Sequence, residues 1–428
     1  MKQKTGPGKT GAERSEKPSA ASRISAWLRK NRLALPLFFL CLAIFLGLLF
    51  TANRGRIFDE KSPEEYETET SVVTVERAKV LNISKDTVSP NRENPDGRAS
   101  GVQTLLVRLL TGSHKGQTLQ IDAHFVGVYT NERIAPDDEI TVLQSVDKAT
   151  GAATLLARNY DRSAGVYLVL ALFLAAVLAV GGRTGLKSLL GLAFTVVALI
   201  WIFCPMWMKG AKPVPLAFGL CVLVSVMSFL ILGGTSKKIL AAVLGTAAGM
   251  GLATLFSLLA QAILRIDSYA LYDADSNFAQ LVNLQGAGYP LHVEGILTAG
   301  IVIAALGAVM DVAMSLSSSI SELKTVNPEL KTRELWRSGM RIGRDMVGTM
   351  TNTLILAFVG GSLVLVILLW SQGPSYQALL SSRYFSVELI TALSSSVGVI
   401  LAVPLTALIG ALLFGRAAPE RGTEPKTK

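Results

Sequence analysis

Two stretches, ALGAVMDVAMSLSSSISE at Ala305–Glu322 and SGMRIGRDMVGTMTNTLILAF at Ser338–Phe358, each join an apolar run to a charged segment. Asp311 lies inside the first apolar run and Asn352 inside the second. A carboxylate at the centre of a membrane helix costs about 2.5–3.5 kcal/mol on insertion scales, so it usually faces a bundle interior, a partner or water. These stretches therefore predict a membrane bundle, and the surroundings of Asp311 are the first candidate for a functional site.

The composition is that of a membrane protein. Of the 428 residues, 50% are hydrophobic and 17% are charged, and the mean hydropathy is +0.44. The formal net charge is +10, but the basic residues are divided among the N-terminal tail, short loops and the C-terminus. This distribution is typical of cytoplasmic anchoring and not of a nucleic-acid-binding stripe. We therefore expect membrane lipid, and no nucleic acid, as a partner.

The sequence predicts neither a cofactor nor a metal site. The three cysteines all lie in apolar runs, at Cys41, Cys204 and Cys221. His114, His124 and Asp122 fit no helical i, i+4 ligand pair and are expected on a solvated surface. The chain has no nucleotide-binding loop, nucleophile elbow or HExxH motif, so we do not expect an enzyme.

The N-terminal third changes character twice. Residues 1–32 are polar and basic and predict a disordered cytoplasmic tail. Residues 33–51 form an apolar run of membrane length without a small-residue cleavage site, which predicts an uncleaved anchor helix. Residues 52–163 have the composition of a water-soluble domain, and a five-stranded barrel of OB-like type is predicted from alternating strands. The strands are Ser71–Leu81, Val102–Leu110, Thr118–Ile121, Glu139–Leu143 and Ala153–Ala157.

Residues 164–414 predict a transmembrane domain, followed by a cytoplasmic tail at 415–428. With the anchor, its apolar runs make about eight helices. The runs are Ala164–Val180, Leu186–Cys204, Pro213–Leu232, Ile239–Leu264, Gly295–Leu316, Met346–Trp370 and Val387–Phe414. Most loop lysines and arginines fall on alternate connections, the same side as the basic tail. The positive-inside rule then predicts that both termini are cytoplasmic and that residues 52–163 are extracytoplasmic. The predicted fold is an α-helical integral membrane bundle with a small extracytoplasmic β-rich domain.

Two polar stripes cross the predicted helices around Asp311. A helical repeat of 3.6 residues aligns Asp311, Ser315, Ser318 and Glu322 on one face. The next helix aligns a second set, Arg341, Asp345, Thr349 and Asn352, with Arg344 beside it. At 1.5 Å per residue, Asp311 lies about 24 Å beyond Gly295, and an antiparallel pair brings Asp311 and Asn352 to comparable depth.

These stripes admit two interpretations. A buried carboxylate beside an amide and hydroxyls can take up a proton or ligate a cation, which favours a pathway. Alternatively, Asp311 forms an interhelical hydrogen bond to Asn352 or to Ser and Thr hydroxyls that only holds the bundle together. Small residues four apart predict close helix packing and not substrate contact; they are Gly245 and Gly249, Ala247 and Gly251, and Gly300, Ala304 and Ala308.

The motifs AALGAVMDVAMS at Ala304–Ser315 and GRDMVGTMTNTLILA at Gly343–Ala357 resemble those of the YibE/F-like family of bacterial multi-pass membrane proteins. The resemblance extends over most of the chain. It implies a bacterial source with a single plasma membrane and supports the topology, but it supplies no substrate or catalytic residue.

Two functions are compatible with this pattern. The first is a permease or transporter-like protein, in which an unknown small solute or ion passes Asp311 between the last four helices. The second is a membrane scaffold or sensor, in which the external domain binds a ligand or partner and the bundle relays or anchors it. A homo-oligomer and an envelope partner are compatible with both.

Overall fold

The computed structural model describes residues 34–54, 65–67, 71–90, 99–112, 115–125, 133–147, 153–267, 290–371, 373 and 375–415. The predicted tail at 1–32, nearly all of the predicted tail at 415–428 and His114 lie outside these residues. The chain divides into two compact units: one comprises residues 56–182, and the other comprises residues 1–55 with 183–428.

The first unit contains a closed β-barrel. Its strands are β1 (Glu65–Glu67), β2 (Ser71–Asp86), β3 (Ser89–Pro90), β4 (Ala99–Leu109), β5 (Thr118–Phe125), β6 (Glu139–Asp147) and β7 (Ala153–Tyr160). The long strand β2 pairs with β6 along one part of its length and with β4 along another, and two register shifts at Val80–Lys85 interrupt the pairing with β4. Bulges of this kind bend a strand and increase its twist. The parallel pair β5–β7 closes the order β2-β4-β5-β7-β6-β2.

The barrel core confirms the predicted alternation. Buried side chains from four strands meet inside it, including Val80, Leu105, Ile121 and Ile140, and the half-buried Leu155 and Ala157 of β7 pack against them. All five predicted strands are present, and each is longer than predicted because pairing extends past the apolar positions. The five-stranded Greek-key barrel matches the predicted OB-like type.

An ion-pair network ties the barrel to the helix that follows it. The Arg77 guanidinium donates to Glu139 and to Asp161, and the Asp161 carboxylate also accepts the backbone N–H of Ser163, the first residue of that helix. The hydrogen bond from Ser163 and the Arg77 charge hold the pKa of Asp161 below its ordinary value, although burial opposes them. The Asp161 side chain is only 10% exposed.

The helices follow the apolar runs. They are α1 (Ala34–Asn53), α2 (Ser163–Val197), a π-helix (Ala198–Phe203), α3 (Cys204–Met208), α4 (Pro213–Gly233), α5 (Lys237–Leu264), α6 (Ile296–Val326), α7 (Thr332–Gly361), α8 (Leu363–Ser371), α9 (Tyr376–Leu380) and α10 (Arg383–Gly415). Six helical segments of the described residues are long and apolar enough to cross a membrane, and counting α7 with α8 as one span makes seven.

One predicted helix break agrees with the structure, and one predicted helix does not. Within the helical segment Ser163–Met208, non-helical backbone angles at Gly182 (φ 50° and ψ −128°) separate the predicted runs Ala164–Val180 and Leu186–Cys204. The prediction of one helix at Met346–Trp370 is wrong: α7 begins at Thr332, and a 62° bend separates it from α8. The first turns of α7 carry many charged residues, so the apolar run begins later than the helix does, and the run alone could not show where the helix starts.

Close contact among α5, α6 and α10 forms the centre of the helical unit. A β-carbon at Gly249 would lie 2.7 Å from Ala402 Cβ and 2.9 Å from Val309 Cγ1. One turn further along, a β-carbon at Gly398 would lie 2.7 Å from Ala253 Cβ. Only glycine permits this approach, so these contacts set the register of the three helices. Helix α7 also packs closely: a β-carbon at Gly339 would lie 3.0 Å from Ile320 Cδ1 of α6, and one at Gly343 would overlap Val403 of α10.

The loops gather at two ends of this unit. At the Lys209 end, the Lys209 ammonium donates to the carbonyls of Thr51, Ala52 and Arg54, and Trp207 donates its indole N–H to the His292 carbonyl. At the Lys238 end, Ser317 donates to the Lys238 carbonyl, and Gly415 of α10 packs against Thr332 of α7. Helices α4, α5, α6 and α7 therefore alternate in direction.

We predict that Asp161→Asn weakens the barrel at neutral pH and not in strong acid. Because the folded-state pKa of Asp161 is lowered, its carboxylate stabilises the fold above the unfolded value of about 3.9, and this stabilisation is lost as the pH falls through the folded-state value. The measurement is the urea midpoint of residues 52–163 expressed alone, with a far-UV spectrum showing β structure. The difference from wild type should shrink as the pH falls and vanish below the folded-state pKa of Asp161, where both side chains are neutral. A pH-independent difference would contradict the assignment.

Candidate functional site

The face of α6 that the described residues leave uncovered exposes no large apolar side chain between Ile296 and Lys324. Between Ile296 and Lys324 its exposed residues are Gly300, Ala304, Gly307, Asp311, Ser315 and Glu322, and Ser318 is half-buried beside them. The outer face of α5 differs: Leu240, Leu244, Leu255, Leu258 and Ile263 are exposed there. Lipid-facing positions are expected to resemble α5, so the open face of α6 is unsuited to lipid.

Helix α7 runs antiparallel to α6 and exposes the second polar stripe. Arg341, Arg344, Asp345, Thr349 and Asn352 are all exposed. Gly343 packs against Leu316, and stepping equally along both helices from this contact places Asp311 level with Gly348. Asn352 then lies about 6 Å, one helical turn, from the level of Asp311. The two stripes thus occupy neighbouring helices at similar depth.

The structure does not join the nine candidate residues to one another. In the described parts of the chain, no hydrogen bond or ion pair between two side chains connects any of Asp311, Ser315, Ser318, Glu322, Arg341, Arg344, Asp345, Thr349 and Asn352 to one another. The Thr349 hydroxyl donates to carbonyls of its own helix, those of Asp345 and Met346. The alternative of an Asp311–Asn352 clamp is therefore not formed within this chain.

The predicted small-residue pairs divide into two groups. Gly245 and Gly249 pack tightly against Thr406 and Ala402 of α10, as predicted. Gly300 and Gly307 have no atom within 4 Å of the position that a β-carbon would take, so the same spacing on α6 faces open space. The prediction of packing therefore fails at Gly300 and Ala304 among the described residues, whereas Ala308 packs against the core of the bundle.

Sequence analysis missed the hydroxyl groups buried inside the bundle. The Gln261 amide donates to Thr298 Oγ1 at 2.7 Å and to Ser257 Oγ at 2.9 Å, which links α5 to α6. Ser394 and Ser395 of α10 are fully buried, and their hydroxyls have no hydrogen-bond partner in the described chain. Single hydroxyls in apolar runs give no periodic signal, so only the helix register reveals that they gather between three helices.

It also missed a second carboxylate, Glu388, in an apolar cleft. Ser362, at the bend between α7 and α8, donates its hydroxyl to Glu388 Oε2 at 2.6 Å. Apolar side chains of α7, α8 and α10 line the cleft around them, including Phe358, Val366 and Phe385. Glu388 belongs to the predicted run Val387–Phe414, so the argument applied to Asp311 could have identified it.

The site offers acidic and hydrogen-bonding chemistry. Carboxylates, hydroxyls and an amide can accept protons or supply oxygen ligands to a hard cation. In the described residues, no group of three or more His, Cys, Asp and Glu side chains is placed to hold a metal ion.

We predict that Ser362 and Glu388 are energetically coupled. Ser362→Ala and Glu388→Ala should each lower the free energy of unfolding in detergent, and the double variant should lose less than the sum, with a coupling of about 0.6 kcal/mol and at most about 1.7. The matched control is Ser371→Ala, because Ser371 donates only to Leu368 of its own helix. Additive losses for Ser362 and Glu388 would show that their hydrogen bond contributes nothing.

Comparison with known proteins agrees with the family resemblance of the two motifs. The family model described as YibE/F-like protein matches residues 169–416, which include both polar stripes and more than half of the chain. No curated protein and no solved structure matches the chain significantly. The match and the apolar helices together show that the chain is a membrane protein and belongs to the YibE/F-like family.

Proposed function

We propose that this protein is a permease in which a small solute or an ion passes along the open face of α6. The observation that carries the proposal is the composition of that face: small residues from Gly300 to Gly307, then Asp311, Ser315 and Glu322. A charged carboxylate facing lipid is costly, whereas one that lines a water-filled groove is not. The stripe continues from Asp311 toward the Lys238 end, where it reaches water.

Asp311 is the proposed working group of the pathway. It is exposed, and none of the described residues donates a hydrogen bond to it. The exposed Asn352 amide lies on the neighbouring helix, about one helical turn from the level of Asp311. A carboxylate in this setting can exchange a proton or a cation with the groove and then release it. Arg341 and Arg344 lie nearer the Lys238 end and would attract anions or balance acidic neighbours.

The proposed topology has about eight spans, with both termini cytoplasmic in a bacterial plasma membrane. The segment Ser163–Met208 has 46 residues, about twice the number that one membrane-spanning helix needs, so Gly182 would divide it into two spans. The Lys238 end collects most loop lysines and arginines, and α10 ends there at Gly415. The positive-inside rule makes that end cytoplasmic and the barrel extracytoplasmic.

A scaffold or sensor is the second candidate, and one contact favours it. Asp161 binds both Arg77 of the barrel and the N-terminus of α2, so a ligand that moves the barrel wall would also move the start of that helix. This link supports a relay, whereas the polar face of α6 supports transport.

We predict that Asp311→Asn reduces proton or cation flux in reconstituted vesicles at least tenfold, without changing expression or thermal midpoint. The amide keeps the shape and hydrogen bonding but removes the titratable charge. Asp267→Asn is the matched control, because Asp267 is exposed beyond the end of α5. Wild-type flux in Asp311→Asn would exclude the pathway, and no flux in the wild type would favour the scaffold or sensor.

We also predict that an impermeant thiol reagent labels Ser89→Cys in intact cells and does not label Lys331→Cys. Both substitutions are made in a variant whose three native cysteines have been replaced. Permeabilised cells provide the control that Lys331→Cys is reactive. Labelling of Lys331→Cys but not Ser89→Cys in intact cells would reverse the topology.

A further inference from the structure

We propose that a second copy of this chain covers the open face of α6 with its own α7, so that the pathway around Asp311 is completed between two copies. The inference rests on the proposed permease function and supplies the second wall of its pathway. It commits to one partner, another molecule of the same chain, and to one contact, α6 against α7 of the second copy.

The first argument is that the described part of this chain leaves the face open although the face suits close contact. A β-carbon added at Gly300 or Gly307 would meet no described neighbour within 4 Å, whereas one added at Gly249 or Gly343 would lie closer than 3 Å to a neighbouring side chain. Gly307 and Asp311 lie one turn apart on the same face, so a helix that approached the glycines would also shield the carboxylate from lipid. Lipid chains supply no hydrogen-bond donor for that carboxylate.

The second argument is complementary charge at matching levels. From the contact of Gly343 with Leu316, equal steps place Glu322 level with Arg337, and Gly307 level with Asn352. Arg337 and Asn352 are both exposed on α7. Two copies related by a two-fold axis along the membrane normal share these levels. The acidic face of one α6 would therefore meet a guanidinium and an amide on the other copy's α7.

The positions of the acidic residues along α6 and α7 disfavour contact between the two copies of α6. Contact between the two copies of α6 would place each Asp311 beside its equivalent, and like charges repel. Asp345 is the acidic group on α7 closest in level to Asp311, and Arg341, one turn away on the same helix, offsets its charge. Because the acidic and basic stripes occupy one chain, the surface is self-complementary, as a two-fold interface requires.

Cross-linking between differently tagged copies tests the contact directly. In the cysteine-free background, one copy carries Gly307→Cys and the other Asn352→Cys, and both are expressed in the same membrane and oxidised. We expect at least ten times more doubly tagged disulfide product than with Leu255→Cys paired with Asn352→Cys, because Leu255 is exposed on the outer face of α5. Equal yields, or no product from the first pair, would overturn the proposal.

A leucine at Gly307 separates the interface from the fold. Nothing in the described chain lies within 4 Å of the β-carbon position at Gly307, so Gly307→Leu should express and melt like the wild type. By contrast, Gly249→Leu would clash with Ala402 and should not fold normally. Mass photometry in nanodiscs should then show wild-type dimers and Gly307→Leu monomers. Dimers that persist in Gly307→Leu would overturn the interface, and a Gly307→Leu protein that fails to fold would show that another segment of the same chain covers the face.

Flux measurements distinguish failure of this inference from failure of the permease proposal. The monomeric Gly307→Leu protein should lose flux, because one wall of the pathway is missing. A monomer with full flux would overturn the shared pathway and leave Asp311 working within one chain. A dimeric Asp311→Asn protein with full flux would instead remove the proposed function and leave the interface.

Discussion

The close approach of α5, α6 and α10 at Gly249 and Gly398 is the contact on which the rest of the bundle depends. It fixes which face of α6 is buried, because Val309 must lie against Gly249. The opposite face, with Asp311, then has to point out of the three-helix centre. In a bilayer such contacts come from van der Waals packing and not from the hydrophobic effect, so small residues control them.

This packing separates two kinds of polar group. Hydroxyls and one amide, such as Ser257, Thr298 and Gln261, lie inside the bundle, where uncharged groups can satisfy one another. The carboxylates of Asp311 and Glu322 lie on the outside, where water or another protein surface must solvate them or form hydrogen bonds with them. Glu388 differs from both groups, because it lies in an apolar cleft and accepts a hydrogen bond from Ser362 at a helix bend.

The barrel is stabilised by different interactions from those of the helical bundle. Its core is built from alternating apolar residues that water drives inward, and its link to α2 is an ion pair with Arg77 supported by a backbone hydrogen bond. An exposed ion pair alone contributes little to stability, but Asp161 is mostly shielded and joins two elements. The barrel therefore has both its own core and a defined connection to the membrane helix, which a relay and a docking domain both require.

Composition and periodicity by themselves determined the class of this protein. Long apolar runs predict membrane helices because the bilayer demands them, and strict alternation between glycine turns predicts a barrel because strand side chains alternate sides. The polar stripe from Asp311 to Glu322 can likewise be predicted from the sequence, because the fixed repeat of a helix shows which residues share a face. These local rules located the two polar stripes at nearly their observed positions.

Only the tertiary structure decided which faces are covered. The spacing of small residues is the same at Gly245 and Gly249 as at Gly300 and Ala304, yet the first pair meets α10 and the second faces open space. The break at Ser362 and its bond to Glu388 were also hidden, because they depend on residues distant in sequence that come together through helix register. A repeat specifies a face but not its neighbour, and neighbours follow from the packing of the whole bundle.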